Sequence, residues 1–176
     1  EAEAYARIQP VIAAYARAIT HLGDSGAGQL AKMVNQIAVA GLLQGLAEAL
    51  AFGQKAGLDM TQVLNVISQG AASSWQMVNR GPTMIADQFD FGFAVDWMRK
   101  DLGLVLDEGR RLGARLPATA LVDQFYADVQ QLGGAGADAV GAYGVEPAVQ
   151  LGHQDAVVIR LGLGQLVLVV VVPLEL

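Results

Sequence analysis

The chain has 176 residues, of which 53% are hydrophobic and 16% charged, and it contains no cysteine. That much apolar sequence can build a core and argues against global disorder, while the lack of cysteine excludes a disulfide framework and a thiolate metal site. The net charge is −6, and the 11 basic residues are scattered, so we expect no nucleic-acid partner. With two histidines we expect no metal either, and because the first residues show no signal-peptide pattern we expect a cytoplasmic protein.

The first 22 residues precede a glycine-rich turn. Apolar residues at helical spacing predict a helix over residues 2–17 that Pro10 interrupts, and the apolar run 18–22 predicts a short strand. Asp24 and Ser25, inside the turn over residues 23–28, both suit the N-cap of a helix that follows.

One long helix dominates the pattern, from about residue 28 to residue 56, with Gly57 as its stop. Between Lys32 and Lys55 its only charged residue is Glu48. A helix that is apolar on all sides is normally buried on all sides, so we expect it in a core shared between the subunits of a dimer or tetramer. We expect no membrane span, because polar residues interrupt the apolar run: Asn35, Gln36, Gln44, Glu48 and Gln54.

Four further helices follow in the predicted order. They cover 60 to about 69 (capped by Asp59), about 74–85 (broken near Gly81-Pro82), 95–112 (ended by Gly113) and 117 to about 132. After about residue 140 the sequence becomes Gly- and Val-rich, and the β-branched run 167–172 predicts a strand or an exposed sticky tail. We therefore predict an all-α, multi-helix domain over residues 23–140 around one long buried helix, with 141–176 as an atypical tail.

Three polar residues near the start of the long helix are the first candidate site. Lys32, Asn35 and Gln36 are spaced i, i+3, i+4, which places them on one helix face. The positive end of the helix dipole lies nearby and favours the neutral form of a lysine, which can then exchange a proton with a substrate. The alternative is an ordinary exposed lysine near a helix end with two polar neighbours.

Lys100 and Asp101 form a second candidate, inside the helix over 95–112 and shortly after Phe93. The alternative interpretation of this pair is a solvated charged patch.

A third pattern, G-x-G-x-x-A from Gly26 to Ala31 with Glu48 twenty residues after Gly28, superficially matches a dinucleotide fingerprint. Its context is wrong, because Glu48 lies within a continuous helix rather than at the end of a second strand.

The ordered motifs resemble one family. The run GDSGAGQLAKMVNQ over residues 23–36 resembles the catalytic segment of β-hydroxyacid dehydrogenases such as 3-hydroxyisobutyrate dehydrogenase and tartronate semialdehyde reductase. Later runs resemble the family's further signatures in order and spacing: FDFGF at 89–93, KDL at 100–102, LPAT at 116–119 and GGAGAD at 133–138. The likeness covers about residues 1–140, and it implies the helical C-terminal domain type that is shared with 6-phosphogluconate dehydrogenase.

The resemblance implies a role for each candidate residue. Lys32 would be the general acid and base, Asn35 and Gln36 would bind substrate, Phe93 would line the pocket and Lys100 would lie near the cofactor. The substrate would be a small hydroxy acid or semialdehyde. NAD or NADP would be held mainly by an N-terminal dinucleotide-binding domain, of which residues 1–22 would be the tail end, so this chain alone would not turn over.

Two alternatives remain open at this point. The long helix would also suit a non-catalytic helical dimerisation module. An imine-reductase-like enzyme is a second alternative, which Lys32 disfavours because those relatives usually carry another residue at that position.

Overall fold

A computed structural model gives the fold. It describes residues 2–14, 16–89 and 94–131, together with the backbone of 156–161 and 165–171. The described elements are α1 (Ala2–Ile12), α2 (Ala27–Lys55), α3 (Met60–Ile67), α4 (Trp75–Ile85), α5 (Val95–Leu112), α6 (Pro117–Gln131), β1 (Ala156–Leu161) and β2 (Gln165–Val171). The predicted multi-helix class is confirmed over the described part of residues 23–140, and the two strands lie in the segment set apart as a tail.

The chain divides into two compact units, Glu1–Asn35 and Gln36–Leu176, and α2 continues from the first into the second. In the second unit β1 and β2 pair antiparallel, with Val157 opposite Val170. This places residues 167–171 of the β-branched run in a strand, one of the two alternatives that the sequence left open.

Helix boundaries in the second unit follow the sequence signals. Gly57 and Gly113 have φ values of 75° and 72°, the left-handed conformation that ends a helix and that glycine adopts without a Cβ penalty. Asp59 accepts from two backbone N–H groups at the start of α3, and Ser74 accepts from the Met77 N–H at 3.0 Å. α5 spans the predicted residues, and α6 begins at the predicted Pro117.

Three predicted features are wrong. α1 runs through Pro10 without interruption and ends at Ile12, short of the predicted residue 17. Residues 18–22 form no strand, and the described strands pair with each other, so this short apolar run has no ladder partner among the described residues. α4 is a continuous helix through Pro82. A proline clashes with the Cβ of the residue before it in a helix, and here that residue is Gly81, which has none.

In the first unit, a tyrosine on α1 contacts the segment that precedes α2. The Tyr5 hydroxyl donates to the Ile19 carbonyl at 3.2 Å, and the Tyr5 and His21 rings lie 5.3 Å apart between centroids. His21 therefore packs against an aromatic ring.

The core of the second unit is formed by apolar side chains from α2, α3, α4, α5 and α6. Its largest fully buried side chains are Tyr126, Leu43, Leu50, Met84, Met98, Leu102, Val95 and Val105. Arg99 of α5 makes a forked ion pair with Asp123 of α6, with Nε–Oδ1 at 3.1 Å and Nη2–Oδ2 at 3.3 Å. This bidentate geometry fixes the two helices in register.

α3 and α4 meet through a glycine. A Cβ on Gly81 would lie 2.8 Å from the Leu64 Cδ1, so a side chain at position 81 would force the Leu64 side chain or the helices to shift. The same glycine both relieves the clash with Pro82 and admits Leu64, which is buried.

α2 has a buried face and an exposed face within this chain. Ala40, Leu43, Ala47 and Leu50 are buried, whereas large apolar side chains on the other face are exposed: Leu30, Val34, Leu42 and Phe52. Burial on all sides is thus not reached inside one chain. By length and composition alone α2 could also cross a membrane, although a core helix of a soluble protein meets the same criteria.

Candidate functional site

The first part of the candidate site follows a turn that requires glycine. Gly23 and Gly26 have φ values of 141° and 99°, conformations that other residues rarely adopt. The Ala27 N–H donates to the Asp24 carbonyl and the Leu30 N–H to the Gly26 carbonyl, both at 3.0 Å. These bonds start α2 at Ala27, one residue before the predicted start.

This start places Lys32 and Asn35 in the second and third turns of α2. Both residues are exposed in this chain and both belong to the first compact unit. Because a substrate must reach an acid or base directly, exposure is what their predicted roles require. The sequence therefore located two accessible polar groups of suitable chemistry near the N-terminus of a long helix.

Gln36 has a different environment. Only 6% of the residue is exposed, and its Nε2 donates to the Asp101 Oδ2 at 2.9 Å and lies 3.9 Å from the Met98 sulfur. The bond to Asp101 joins α2 to α5. The sequence grouped Gln36 with Lys32 and Asn35 by spacing, but it gave no sign of the partner on α5.

Asp101 is the buried centre of the second candidate. Its residue exposure is 5%, and its Oδ1 lies 3.1 Å from the Lys100 Nζ. A buried carboxylate is costly unless it is paired and hydrogen-bonded, and Asp101 is both. The interpretation of this pair as a solvated patch is therefore wrong for Asp101. A signal existed in the sequence, since Asp101 is spaced i+3 and i−4 from the apolar Met98 and Val105.

Lys100 points outward from this buried carboxylate. Its side chain is 53% exposed, and its Nζ lies 5.4 Å from the centre of the Trp97 ring. Trp97 is itself 59% exposed. The ammonium is held by an anion on one side and an aromatic face on the other, which limits the directions that a flexible lysine can take.

The chemistry of Lys100 fits a cofactor that carries phosphate. A lysine ammonium has three donors, and one of them faces Asp101 while half of the side chain remains accessible. Lysine binds phosphate as a point charge, so the residues present fit a contact with a nicotinamide dinucleotide. Within the described residues no group of three or more His, Asp or Glu could hold a metal ion, and Phe93 lies outside them.

Comparison with known proteins identifies the family. A family model described as "NAD-binding of NADP-dependent 3-hydroxyisobutyrate dehydrogenase" matches residues 26–145, which include both candidate sites. The chain belongs to this dehydrogenase family. The resemblance that the ordered motifs indicated is thus confirmed, and the family is one of nicotinamide-dependent oxidoreductases.

Individual relatives agree with this assignment. An uncharacterised oxidoreductase of Shewanella frigidimarina is 62% identical over 127 residues, which is 72% of this chain and 44% of that protein. The 3-hydroxyisobutyrate dehydrogenase of Pseudomonas aeruginosa is 37% identical over 132 residues, 71% of this chain and 44% of that protein.

A solved structure shows the same fold. The crystal structure of 3-hydroxyisobutyrate dehydrogenase from Salmonella typhimurium superposes with a TM-score of 0.70 at 29% identity, covering 79% of this chain and 49% of that one. The chain thus spans about half the length, or slightly less, of the relatives it matches.

Proposed function

We propose that this chain supplies the catalytic and substrate-binding half of an enzyme that transfers hydride between NAD or NADP and a small β-hydroxy acid, of the 3-hydroxyisobutyrate or tartronate semialdehyde type. The observation that carries the proposal is the exposed Lys32, in the second turn of a helix that begins directly after a glycine turn, within the matched family segment.

In this proposal Lys32 moves the proton of the reaction. During oxidation the neutral lysine Nζ takes the proton of the substrate hydroxyl, while the carbon of that C–O bond gives up a hydride and a carbonyl forms. During reduction the lysine ammonium returns the proton to the carbonyl oxygen. The nicotinamide, when bound, supplies the hydride acceptor or donor.

Asn35 lies three residues after Lys32 on the same helix, so both residues project from neighbouring positions of α2. Its amide group can donate to a substrate carboxylate and accept from a hydroxyl, which suits binding and orientation. The resemblance adds Gln36 and Phe93 as substrate contacts, and these two roles stay predictions.

Lys100 is the proposed cofactor contact. Its support is the arrangement on α5, where Asp101 and Trp97 hold an accessible ammonium in a limited set of directions. The cofactor would be bound mainly by a dinucleotide-binding domain outside these 176 residues, and the isolated chain would then be inactive and bind NAD or NADP weakly.

A second copy of the chain is the proposed partner of the exposed apolar face of α2, within a dimer or tetramer. The exposure of Leu42 and Phe52 supports this part of the proposal. The same exposed apolar face of α2 also favours the alternative of a non-catalytic dimerisation module.

The remaining parts of the proposal are a small hydroxy acid or semialdehyde as substrate and a cytoplasmic location without a membrane or nucleic-acid partner.

The test is a spectrophotometric assay of the complete polypeptide that contains these residues. NAD and NADP are each offered with 3-hydroxyisobutyrate and with other small β-hydroxy acids, and the reverse reaction is followed with tartronate semialdehyde. We expect formation or consumption of reduced nicotinamide with at least one pair. A folded oligomer without activity on any pair would favour the dimerisation module, and reduction of cyclic imines alone would favour the imine-reductase alternative.

A further inference from the structure

One side of α5 exposes an aromatic ring and a lysine together. Trp97, Lys100 and Leu104 are spaced i, i+3 and i+7, so they are neighbours on one face of the helix. Trp97 is 59% exposed and Leu104 is 51% exposed, whereas Met98 and Leu102, on another side of α5, are fully buried. The indole of Trp97 and the ammonium of Lys100 are therefore a feature of the surface of the second unit and not of its core.

The Trp97 ring keeps open area although a cation lies near it. The Lys100 Nζ is 5.4 Å from the centre of the ring, the distance of a cation–π contact. An indole has two faces, and a single ammonium covers only part of one of them. The ion pair with Asp101, at 3.1 Å, keeps the ammonium on this side of α5.

A flat aromatic surface next to an ammonium has the chemistry that binds a nucleotide, in which a sugar joins a flat base to a phosphate. Bases stack on exposed aromatic side chains, and lysine attracts phosphate as a point charge. NAD and NADP each contain two flat rings. Adenine is neutral, whereas the oxidised nicotinamide ring is a cation, which the Lys100 ammonium beside Trp97 would repel. The arrangement on α5 therefore favours adenine.

We propose that Trp97 is a further cofactor-binding residue, whose indole stacks on the adenine ring of NAD or NADP while Lys100 meets a phosphate of the same nucleotide. This inference rests on the proposed function, because the dinucleotide and the cofactor role of Lys100 come from there. It adds a second contact on α5 and states which end of the cofactor lies against this helix.

The chain offers a matched control, its other tryptophan. Trp75 is 63% exposed at the start of α4, and the guanidinium carbon of Arg80 lies 5.6 Å from the centre of its ring. Trp75→Leu and Trp97→Leu therefore both remove an exposed indole that has a cation beside it. Only the second removes the indole next to Lys100.

The experiment is calorimetry on the complete polypeptide with two probes. One is the preferred cofactor, and the other is ADP-ribose (its 2′-phosphate if NADP is preferred), which keeps the adenine and the phosphates but lacks nicotinamide. Trp97→Leu should weaken the binding of both probes by the same factor, about tenfold, the usual scale for a base stacked on an aromatic ring. Lys100→Ala should also weaken both, more strongly at low salt. Trp75→Leu should bind both like the wild type.

Four results would overturn the inference: wild-type affinity in Trp97→Leu, wild-type affinity in Lys100→Ala, an equal loss in Trp75→Leu, or a loss in Trp97→Leu that disappears with ADP-ribose, which would place nicotinamide at this ring. If Trp97→Leu does not fold, Trp97→Gln removes the ring with a side chain suited to an exposed position, and the same measurements apply. A wild-type protein that binds neither NAD nor NADP would refute the proposed function as well, whereas wild-type binding that Trp97→Leu leaves unchanged would refute this inference alone.

Discussion

Gln36 and Asp101, which lie 65 positions apart in the sequence, form a 2.9 Å hydrogen bond that joins α2 to α5 inside the core. Asp101→Ala should lower the free energy of unfolding by about 1 to 3 kcal/mol, because it leaves the Gln36 donor buried without its carboxylate. Urea denaturation measures the change. The control is Asp107→Ala on the same helix, where the carboxylate is 71% exposed and pairs with Arg110 at the surface. Equal losses in both variants would contradict a structural role for the buried bond.

Substitution by alanine should change the stability of the protein in opposite directions at two glycines on consecutive helices. Gly81→Ala should destabilise the protein by about 1 to 3 kcal/mol, because the new Cβ would lie 2.8 Å from Leu64 and force α3 and α4 apart. Gly103→Ala has open space around its Cβ and should stabilise α5 by about 0.5 to 1 kcal/mol. Thermal unfolding of both variants measures the difference, and a destabilised Gly103→Ala would count against the described packing of α5.

The fold was predictable wherever local chemistry decides the outcome. Gly113 ends α5, and Pro117 begins α6, because each residue has a strong backbone preference that needs no tertiary partner. α4 was not predictable in the same way. At Pro82 the preceding Gly81 has no Cβ to meet the proline ring. The missing side chain of Gly81 also admits Leu64 from another helix, and that contact is not local in sequence.

The candidate site shows the same division. Spacing on one helix was enough to group Lys32 with Asn35, and order along the chain was enough to indicate the family. The partner of Gln36 could not be found by spacing, because Asp101 belongs to a helix whose packing against α2 is set by the whole core. The half-exposed position of Trp97 under Lys100 likewise results from the orientation of α5 in the folded chain.

The exposed apolar face of α2 predicts an oligomer that dissociates when one charged residue is introduced on that face. Leu42 is 47% exposed on a helix that also exposes Phe52, and we expect a second copy of the chain to cover this face. Light scattering on the wild-type protein should give more than one subunit, and Leu42→Glu should reduce it to a monomer. The control is Leu121→Glu on α6, which is 56% exposed and should keep the wild-type assembly. A wild-type protein that is monomeric by light scattering would contradict the prediction that a second copy of the chain covers this face of α2.

The N-cap residue Asp59 should make part of the stability of the folded protein depend on pH in the acid range. Its hydrogen bonds with Gln62, the one to the backbone N–H first, lower the pKa of Asp59 below its ordinary value of 3.8. A lowered pKa in the folded state gives stability that is present above the unfolded value and is lost as pH falls through the folded one. Asp59→Asn keeps an oxygen at the N-cap but does not titrate there, so its difference in melting temperature from the wild type should shrink below about pH 4. A wild-type advantage that grows with acidification would contradict this sign.

The direct test of the proposed mechanism is the steady-state kinetics of Lys32→Ala in the complete polypeptide, on its best small β-hydroxy acid. We predict that kcat falls by about two to four orders of magnitude, the usual contribution of a positioned acid or base. Lys32→Arg should not restore it, because a guanidinium stays protonated, and Asn35→Ala should raise KM. Lys55→Ala, an exposed lysine at the other end of the same helix, should keep the wild-type kcat. A Lys32→Ala enzyme with near wild-type kcat would show that this lysine is only a helix-end residue and would contradict the mechanism.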